Sequence, residues 1–261
     1  VKPLFALSPD EARGLQGVFF DLDDTLLTRG VLSRRAYEAL WSLHDAGLVL
    51  VAVTGRPSGW GEVLARQWPI AGCVTENGAI HVVRDGAGVV LRDVCDPKER
   101  QARRVRLTTL VERVRLAVPE ARLTDDVDAR RSDVTWDVGE RAMLPAARAL
   151  AIVSEIEQMG ARWTQSSVHL HATFDVDDKA SGVVRFAGRE LGEDPGAAVV
   201  RYAFVGDSGN DSSCFAAFRT TFAVENVRAA IARLTILPRY VASHAMGEGF
   251  AEIASEILRR R

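Results

Sequence analysis

Gly17-Val18-Phe19-Phe20-Asp21-Leu22-Asp23-Asp24-Thr25-Leu26-Leu27-Thr28 sets an apolar strand against a crowd of acids. Val18, Phe19 and Phe20 ask for a buried strand, and its tip carries Asp21, Asp23 and Asp24. Side chains alternate along an extended chain, so Asp21 and Asp23 leave it on the same side. One such carboxylate can attack an electrophile while the other handles a proton. Like charges this close repel, so a compensating cation, most simply a divalent metal, is expected at the tip.

Working outward, Ser33 is expected to cap a helix that runs to Ala46, with Gly47 as its stop. The uninterrupted apolar run Leu48–Val53 then enters Thr54-Gly55-Arg56-Pro57. That is a second buried parallel strand, a turn, and a proline near the first position of the next helix. Ala71–Thr75 reads as a third strand, ending at Glu76-Asn77-Gly78. In an open α/β sheet, ligands bind beyond these carboxyl ends. The same rhythm resumes at Lys179 with a helix to Leu191 and a strand Tyr202–Val205. That strand ends at Gly206-Asp207-Ser208-Gly209-Asn210-Asp211, a second acidic tip. A strand Thr221–Val224, a helix from Val227 and a helix Glu248–Arg259 complete the reading.

Between these stretches the pattern changes. Ala79–Val83 and Val89–Leu91 flank a glycine-containing hairpin signal. Pro97–Val118 reads as a long arginine-rich helix, with Val105, Thr109, Val111 and Val114 among its apolar positions. Val134–Val138, Ala161–Gln165 and Val168–Phe174 alternate like strands, and Pro145–Met159 reads as a helix. The expected fold class is therefore α/β, a Rossmann-like parallel-sheet core over residues 1–82 and 177–261. An α+β cap over residues 83–176 is inserted into it.

Composition narrows the function. With 261 residues and 47% hydrophobic content the chain can bury a sizeable core. A formal net charge of −2 offers no basic field for nucleic acid or an anionic membrane. No apolar run approaches the roughly 20 residues of a membrane span, and Val1–Leu7 is too short to read as a secretory signal. Cys73, Cys95 and Cys214 lack metal-ligand spacing and read as free thiols, so a cytoplasmic location is expected. Only Lys2, Lys98 and Lys179 are lysines among 33 cationic residues, and Lys179 adjoins Asp177 and Asp178.

The chemistry rests on the two acidic tips. Acids after strands often cap the next helix, but capping needs only one acid per helix. Asp21, Asp23, Asp207 and Asp211 together fit Mg²⁺, which takes a few carboxylates plus water and phosphate oxygens. Thr54 and the N–H groups of Gly55 and Arg56 suit a phosphoryl oxygen at the second strand tip. Lys179 would offset both acidic tips.

Taken in order, these elements resemble the haloacid dehalogenase superfamily of phosphohydrolases. Asp21-Leu22-Asp23-Asp24-Thr25 matches its first motif, Thr54 the second, Lys179 the third and Gly206–Asp211 the fourth. Glu76-Asn77-Gly78-Ala79 and the inserted α+β unit resemble the type IIB branch. That branch holds Cof-like phosphatases, sucrose-phosphate phosphatases and mannosyl-3-phosphoglycerate phosphatases. The resemblance implies a Mg²⁺-dependent phosphatase acting on a small phosphorylated metabolite, a sugar phosphate or glycosyl-phosphoglycerate. Asp21 would be the nucleophile, giving an aspartyl-phosphate, and Asp23 the general acid and base. A carboxylate oxygen of Asp21, the Asp23 carbonyl, Asp207 and Asp211 would hold the metal, Asp211 directly or through water. Lys179 and Thr54 would hold the phosphoryl group, with Gly55, Arg56, Asn77 and Asn210 at the substrate.

Two rival readings share the fold. One is a phosphomannomutase-like phosphomutase, although its arginine-rich cap motif is missing. The other is a non-catalytic phospholigand-binding module, natural only if Asp21, Asp23 or Lys179 were replaced. In the insertion, Arg130, Arg131, Asp137, His169 and His171 are candidate substrate contacts. The ordinary readings are a solvated arginine pair and exposed or satisfied sheet histidines. Trp41 and Trp60 read as core. Oligomeric state is not legible.

Overall fold

The computed structural model describes residues 1–141, 143–166 and 168–261, with Arg233 described by its backbone. In chain order, the amino-terminal part contributes β1 (Lys2–Pro3), α1 (Pro9–Gly14), β2 (Gly17–Asp21), α2 (Arg34–Asp45), β3 (Val49–Val53), α3 (Ser58–Gln67) and β4 (Gly72–Thr75). It continues as β5 (Ile80–Asp85), β6 (Gly88–Asp93), α4 (Pro97–Ala117), β7 (Arg122–Leu123), β8 (Asp133–Asp137), α5 (Ala146–Gln158), β9 (Arg162–Gln165) and β10 (His169–Thr173). The remainder is α6 (Lys179–Glu190), α7 (Pro195–Arg201), β11 (Tyr202–Gly206), α8 (Ser212–Ala217), β12 (Thr220–Ala223), β13 (Tyr240–Val241) and α9 (Met246–Arg260).

The protein is a mixed α/β molecule on a nine-stranded sheet ordered β1-β13-β12-β11-β2-β3-β4-β5-β6. From β1 to β4 the pairings are parallel. β2 is central and wholly buried. Val18 and Phe20 face one core, packed with α2 and α9, while Phe19 faces the other, packed with α6 and α8. This two-sided burial explains why β2 and β3 are continuous apolar runs. Ser33 caps α2 by accepting from the Ala36 N–H.

The β5–β6 hairpin forms where expected, but it pairs with β4 and extends the large sheet. Residues 83–93 were expected in the insertion and instead belong to this sheet, because Val82 and Val83 bury their side chains in its two cores. A four-stranded antiparallel sheet, β7-β8-β10-β9, packs its own core against α4 and α5. Arg100 bridges the two connections between the sheets: it donates to Asp93 at 2.8 Å and to Asp175 at 2.8 and 2.9 Å.

Other expectations shift. Helix α4 buries Leu107, Leu110 and Val114 and exposes Val105, which sits about 200° round the helix from Leu107. Trp41 is 42% exposed at the outer end of α2 rather than in the core. The helix expected from Val227 is a pair of short 3-10 turns, Glu225–Ala229 and Ile231–Arg233. No described helix is long and apolar enough to cross a membrane.

Lys179 is placed by a close approach of backbones. An ideal Cβ on Gly182 would lie 2.3 Å from the Gly78 Cα, so α6 docks on the 76–78 turn only because both residues are glycine. Under this junction His81 is fully buried, its Nε2 3.1 Å from the Gly182 carbonyl, which requires the N–H there. Its Nδ1 is buried without a partner among the described residues. Burial pushes this imidazole from 6.5 down to about 4. The unfolded histidine therefore takes a proton first, and stability falls as pH drops below about 6.5. Such a group removes about 2 kcal/mol between neutrality and pH 5. The expected result is that His81→Gln reduces the pH 7-to-5 loss of urea-unfolding stability by about that amount. Equal losses in the two proteins would contradict it.

Candidate active site

Strand register assembles the site. Phe20 of β2 lies beside Val205 of β11, and Asp21 lies beside Val53 of β3. The chain therefore leaves all three strands at one edge, carrying Asp21, Thr54 and Asp207. Asp24 adopts φ +56° as the backbone turns sharply after Asp23.

Lys179, at the start of α6, reaches between the two acidic tips. Its buried ammonium donates to Asp21 Oδ1 at 2.6 Å and to Asp211 Oδ1 at 2.6 Å. Asp211 Oδ2 accepts from the N–H groups of Asp207 at 2.9 Å and Ser208 at 3.1 Å. Gly206 makes room for this tuck, since a Cβ there would meet the Asp211 carboxylate at 2.4 Å. Asp207 Oδ1 accepts from the Thr25 hydroxyl at 3.3 Å and Oδ2 from Asn226 Nδ2 at 2.8 Å. Burial works against the Lys179 ammonium, but Asp21 and Asp211 outweigh it and raise its pKa. Burial also pushes Asp21 up to about 7, with Asp211 and Asp23 adding to the rise and Lys179 opposing it. Asp207 is raised well above the ordinary carboxylate range by burial and by Asp211 and Asp21.

One ammonium thus faces several buried carboxylates, and the cluster remains short of positive charge. Ligand oxygens of Asp21, Asp207 and Asp211 lie within 4.8 Å of one another, an all-oxygen set that fits a hard divalent cation. Both oxygens of Asp211 are already engaged, whereas Asp21 has its Oδ2 and Asp207 its second lone pairs available.

Asp23 stands outside this three-carboxylate group but lines the same cleft. Arg56 grips its carboxylate with Nε at 3.0 and 2.8 Å and Nη2 at 2.7 Å. The same guanidinium lies 4.2 Å from the centre of the Trp60 ring, and Trp60 is half-buried and packs against the core as well. Thr54 Oγ1 accepts from the Arg56 N–H at 3.1 Å, leaving its own proton free to donate. Asn77, at φ +54°, donates its N–H to the Thr54 carbonyl at 3.1 Å and packs its amide on Gly55. Its buried Oδ1 has no partner among the described residues. Asn210 accepts from the Ser208 hydroxyl at 2.7 Å and does not touch Asp21 in the described contacts.

The four-stranded sheet roofs this floor. A cleft of about 440 Å³ runs between Asp21, Asp23 and Asp207 below and Glu140, His169 and His171 above. His169 Nε2 meets Glu140 at 2.8 Å, and His171 Nδ1 meets Asp133 at 3.0 Å and Thr135 at 3.1 Å. Both histidines are satisfied, and both also face the cleft. Arg130 is not solvated: it is 3% exposed and bonds Asp126, Asp133 and the Gly55 carbonyl. Asp137 instead accepts from the N–H groups of Gly139, Glu140 and Arg141. Sequence reasoning missed Asn226 and Glu140. Asn226 carried a usable signal, since it follows β12 at the same sheet edge.

An acid-lined edge of a parallel sheet, roofed by an inserted α+β layer, suits a divalent cation and an anionic group. Residues 18–97 match the family model described as haloacid dehalogenase-like hydrolase. No curated protein sequence matches the chain. Among solved structures, Thermoplasma acidophilum 0175 aligns with TM-score 0.72 at 18% identity, covering 94% of this chain and 98% of that one. Sucrose-phosphatase from Synechocystis sp. PCC6803, solved with sucrose and phosphate, aligns with TM-score 0.65 at 14% identity over 93% and 98%. The C-terminal domain of C. albicans trehalose-6-phosphate phosphatase gives 0.71 at 12% identity over 98% of each chain. Residues 18–97 are thus similar to the haloacid dehalogenase-like hydrolases, and the whole chain shares the fold of these solved structures, a fold that fits the type IIB branch.

Removing the ammonium should unbalance the cluster. Lys179→Met is expected to cost about 3–5 kcal/mol at neutral pH, the usual effect of stranding buried carboxylates. Urea unfolding measures it, and a loss under about 1 kcal/mol would mean that the acids are neutral without their partner.

Proposed function

We propose that this protein is a Mg²⁺-dependent phosphatase that hydrolyses a small phosphorylated metabolite, a sugar phosphate or glycosyl-phosphoglycerate, through an aspartyl-phosphate on Asp21. The observation that carries the reading is the buried Lys179 held 2.6 Å from Asp21 at the sheet edge that also carries Asp207 and Thr54. Sucrose-phosphatase and trehalose-6-phosphate phosphatase, which share the fold, support it.

Asp21 Oδ2 attacks phosphorus, and the ester oxygen leaves with a proton from Asp23. Asp23 then takes a proton from the water that hydrolyses the acyl phosphate, which restores the Asp21 carboxylate and the protonated Asp23. A carboxylate approaching a phosphate dianion meets like charge, so neutralisation supplies most of the catalysis. Lys179 offsets Asp21 and holds a phosphoryl oxygen, and the free Thr54 proton holds another. Gly55 and Asn77 complete that cradle, Gly55 through its backbone N–H and Asn77 through its side-chain amide N–H. Asn210 sits at the mouth of the cleft as a further polar contact. Arg56 sets the direction of Asp23 through its two-point grip.

Asp21, the Asp23 carbonyl and Asp207 would hold Mg²⁺, with Asp211 joining through water because its oxygens are occupied. The metal would supply charge that lets Asp21 stay ionised and draws the phosphate in. The inserted layer, starting beyond β6, would contact the alcohol part of the substrate and exclude bulk water. Free Cys73, Cys95 and Cys214 suit a reducing, cytoplasmic setting.

Asp21→Asn is expected to remove p-nitrophenyl phosphate turnover while the fold persists, checked by phosphate release and circular dichroism. A wild-type rate in that variant would exclude Asp21 as nucleophile. EDTA is expected to stop wild-type turnover and Mg²⁺ to restore it, and full activity in EDTA would remove the metal from the scheme.

A further inference from the structure

Glu76 belongs to the large-sheet side of the molecule, in the turn after β4, yet its carboxylate is spent on the inserted unit. Oε2 accepts from the Arg131 N–H at 2.9 Å, the Ser132 N–H at 2.6 Å and the Ser132 hydroxyl at 2.7 Å. Among the described residues, its own side of the molecule supplies only the Ser58 N–H, 3.3 Å from Oε1. The side chain is 3% exposed. Its backbone holds φ +50°, followed by Asn77 at +54°, a left-handed pair that non-glycine residues adopt at a cost. A helix cap for α3 would need neither the strain nor three bonds across the junction.

The seated loop leads straight to the site. Arg130, next to Arg131, donates to the Gly55 carbonyl at 2.8 Å. Asp133, next to Ser132, fixes His171 at 3.0 Å, and a Cβ on Gly55 would meet the His171 ring at 3.4 Å. The Glu76 N–H in turn donates to the Arg56 carbonyl at 3.0 Å, which ties the socket to the Thr54–Arg56 turn.

We propose that Glu76 is a positioning residue: its buried carboxylate is the socket that seats loop 131–132 and so fixes the height of Arg130 and His171 above the phosphoryl site. Three donors on one oxygen ask for a carboxylate. Glutamine in the same pose presents either an amide N–H to these donors or one to Ser58, and part of the seat is lost. The kinetic consequence rests on the phosphatase reading, whereas the seating itself does not.

The test is Glu76→Gln in the full chain, read in two ways. Hydrogen exchange at the Arg131 and Ser132 amides is expected to accelerate at least about tenfold, the loss of one charge-assisted bond. The ratio of kcat/KM for a hexose phosphate to that for acetyl phosphate is expected to fall by about tenfold or more. The hexose phosphate needs the roof in place, and acetyl phosphate, a small acyl phosphate, leaves it unfilled. Ser132→Ala removes one bond and is expected to shift both readouts in the same direction by less, which keeps the test open if the glutamine variant does not fold. Unchanged amide exchange would overturn the socket, and faster exchange with an unchanged ratio would overturn its role in positioning. If wild-type protein releases phosphate from neither compound, the phosphatase reading falls while the exchange measurement still decides the seat.

Discussion

Everything else in the molecule is arranged around a shortage of positive charge at one sheet edge. Asp21, Asp207 and Asp211 are buried together, and Lys179 alone among the described residues reaches between the two strand tips. Buried ions are tolerated only with partners and hydrogen bonds. Lys179 satisfies Asp21 and Asp211, the 207–208 amides finish Asp211, and Thr25 and Asn226 hold Asp207. Such a cluster stays in place because its strands are packed on both faces. Phe20 meets Phe250 on one side, and Phe19 meets Phe218 on the other. A rigid apolar sheet thus holds together a set of charges that would separate in a softer structure.

The inserted unit is tied to this edge at two places with different chemistry. At the connections, Arg100 clasps Asp93 and Asp175. At the site, Glu76 and the Gly55 carbonyl receive donors from residues 130–132. Between the ties lies the cleft, so the distance from Asp21 to the two histidines depends on both. The clasp at the connections is an ion pair, whereas the site-side tie is mostly backbone N–H groups on one carboxylate. The first fixes the two connections to the inserted unit, and the second fixes its loop over the site.

Most of the floor was legible in the sequence because it obeys local rules. A buried parallel strand is an unbroken apolar run, and its ligand groups follow its last residue, as at Asp21, Thr54 and Asp207. The β5–β6 hairpin was legible as a hairpin but not in its allegiance. Pairing partners follow from which core Val82 and Val83 enter, and alternation alone does not say that. Arg130 was misread for a related reason: its burial depends on Asp126, Asp133 and Gly55, the last 75 residues away. The Glu76 socket is likewise a product of long-range contact, invisible to any window of neighbouring residues, whereas Asn226 was legible from its place just after β12.

Arg56 brings the charge argument to the substrate side. As the only cation in the Thr54–Arg56 turn, it reads naturally as a phosphate ligand, yet its Nε and Nη2 donate to Asp23. Burial opposes the guanidinium, and Asp23 more than offsets it. A guanidinium gripping a carboxylate at two points has little left for a second anion. On the proposed reaction, an incoming phosphoryl group therefore meets Lys179, the Thr54 hydroxyl, backbone N–H groups and a metal. The arginine's part is to aim Asp23. Stacking on Trp60 fixes the plane of that fork, so the tryptophan read as core packing serves the orientation of an acid at the neighbouring strand tip.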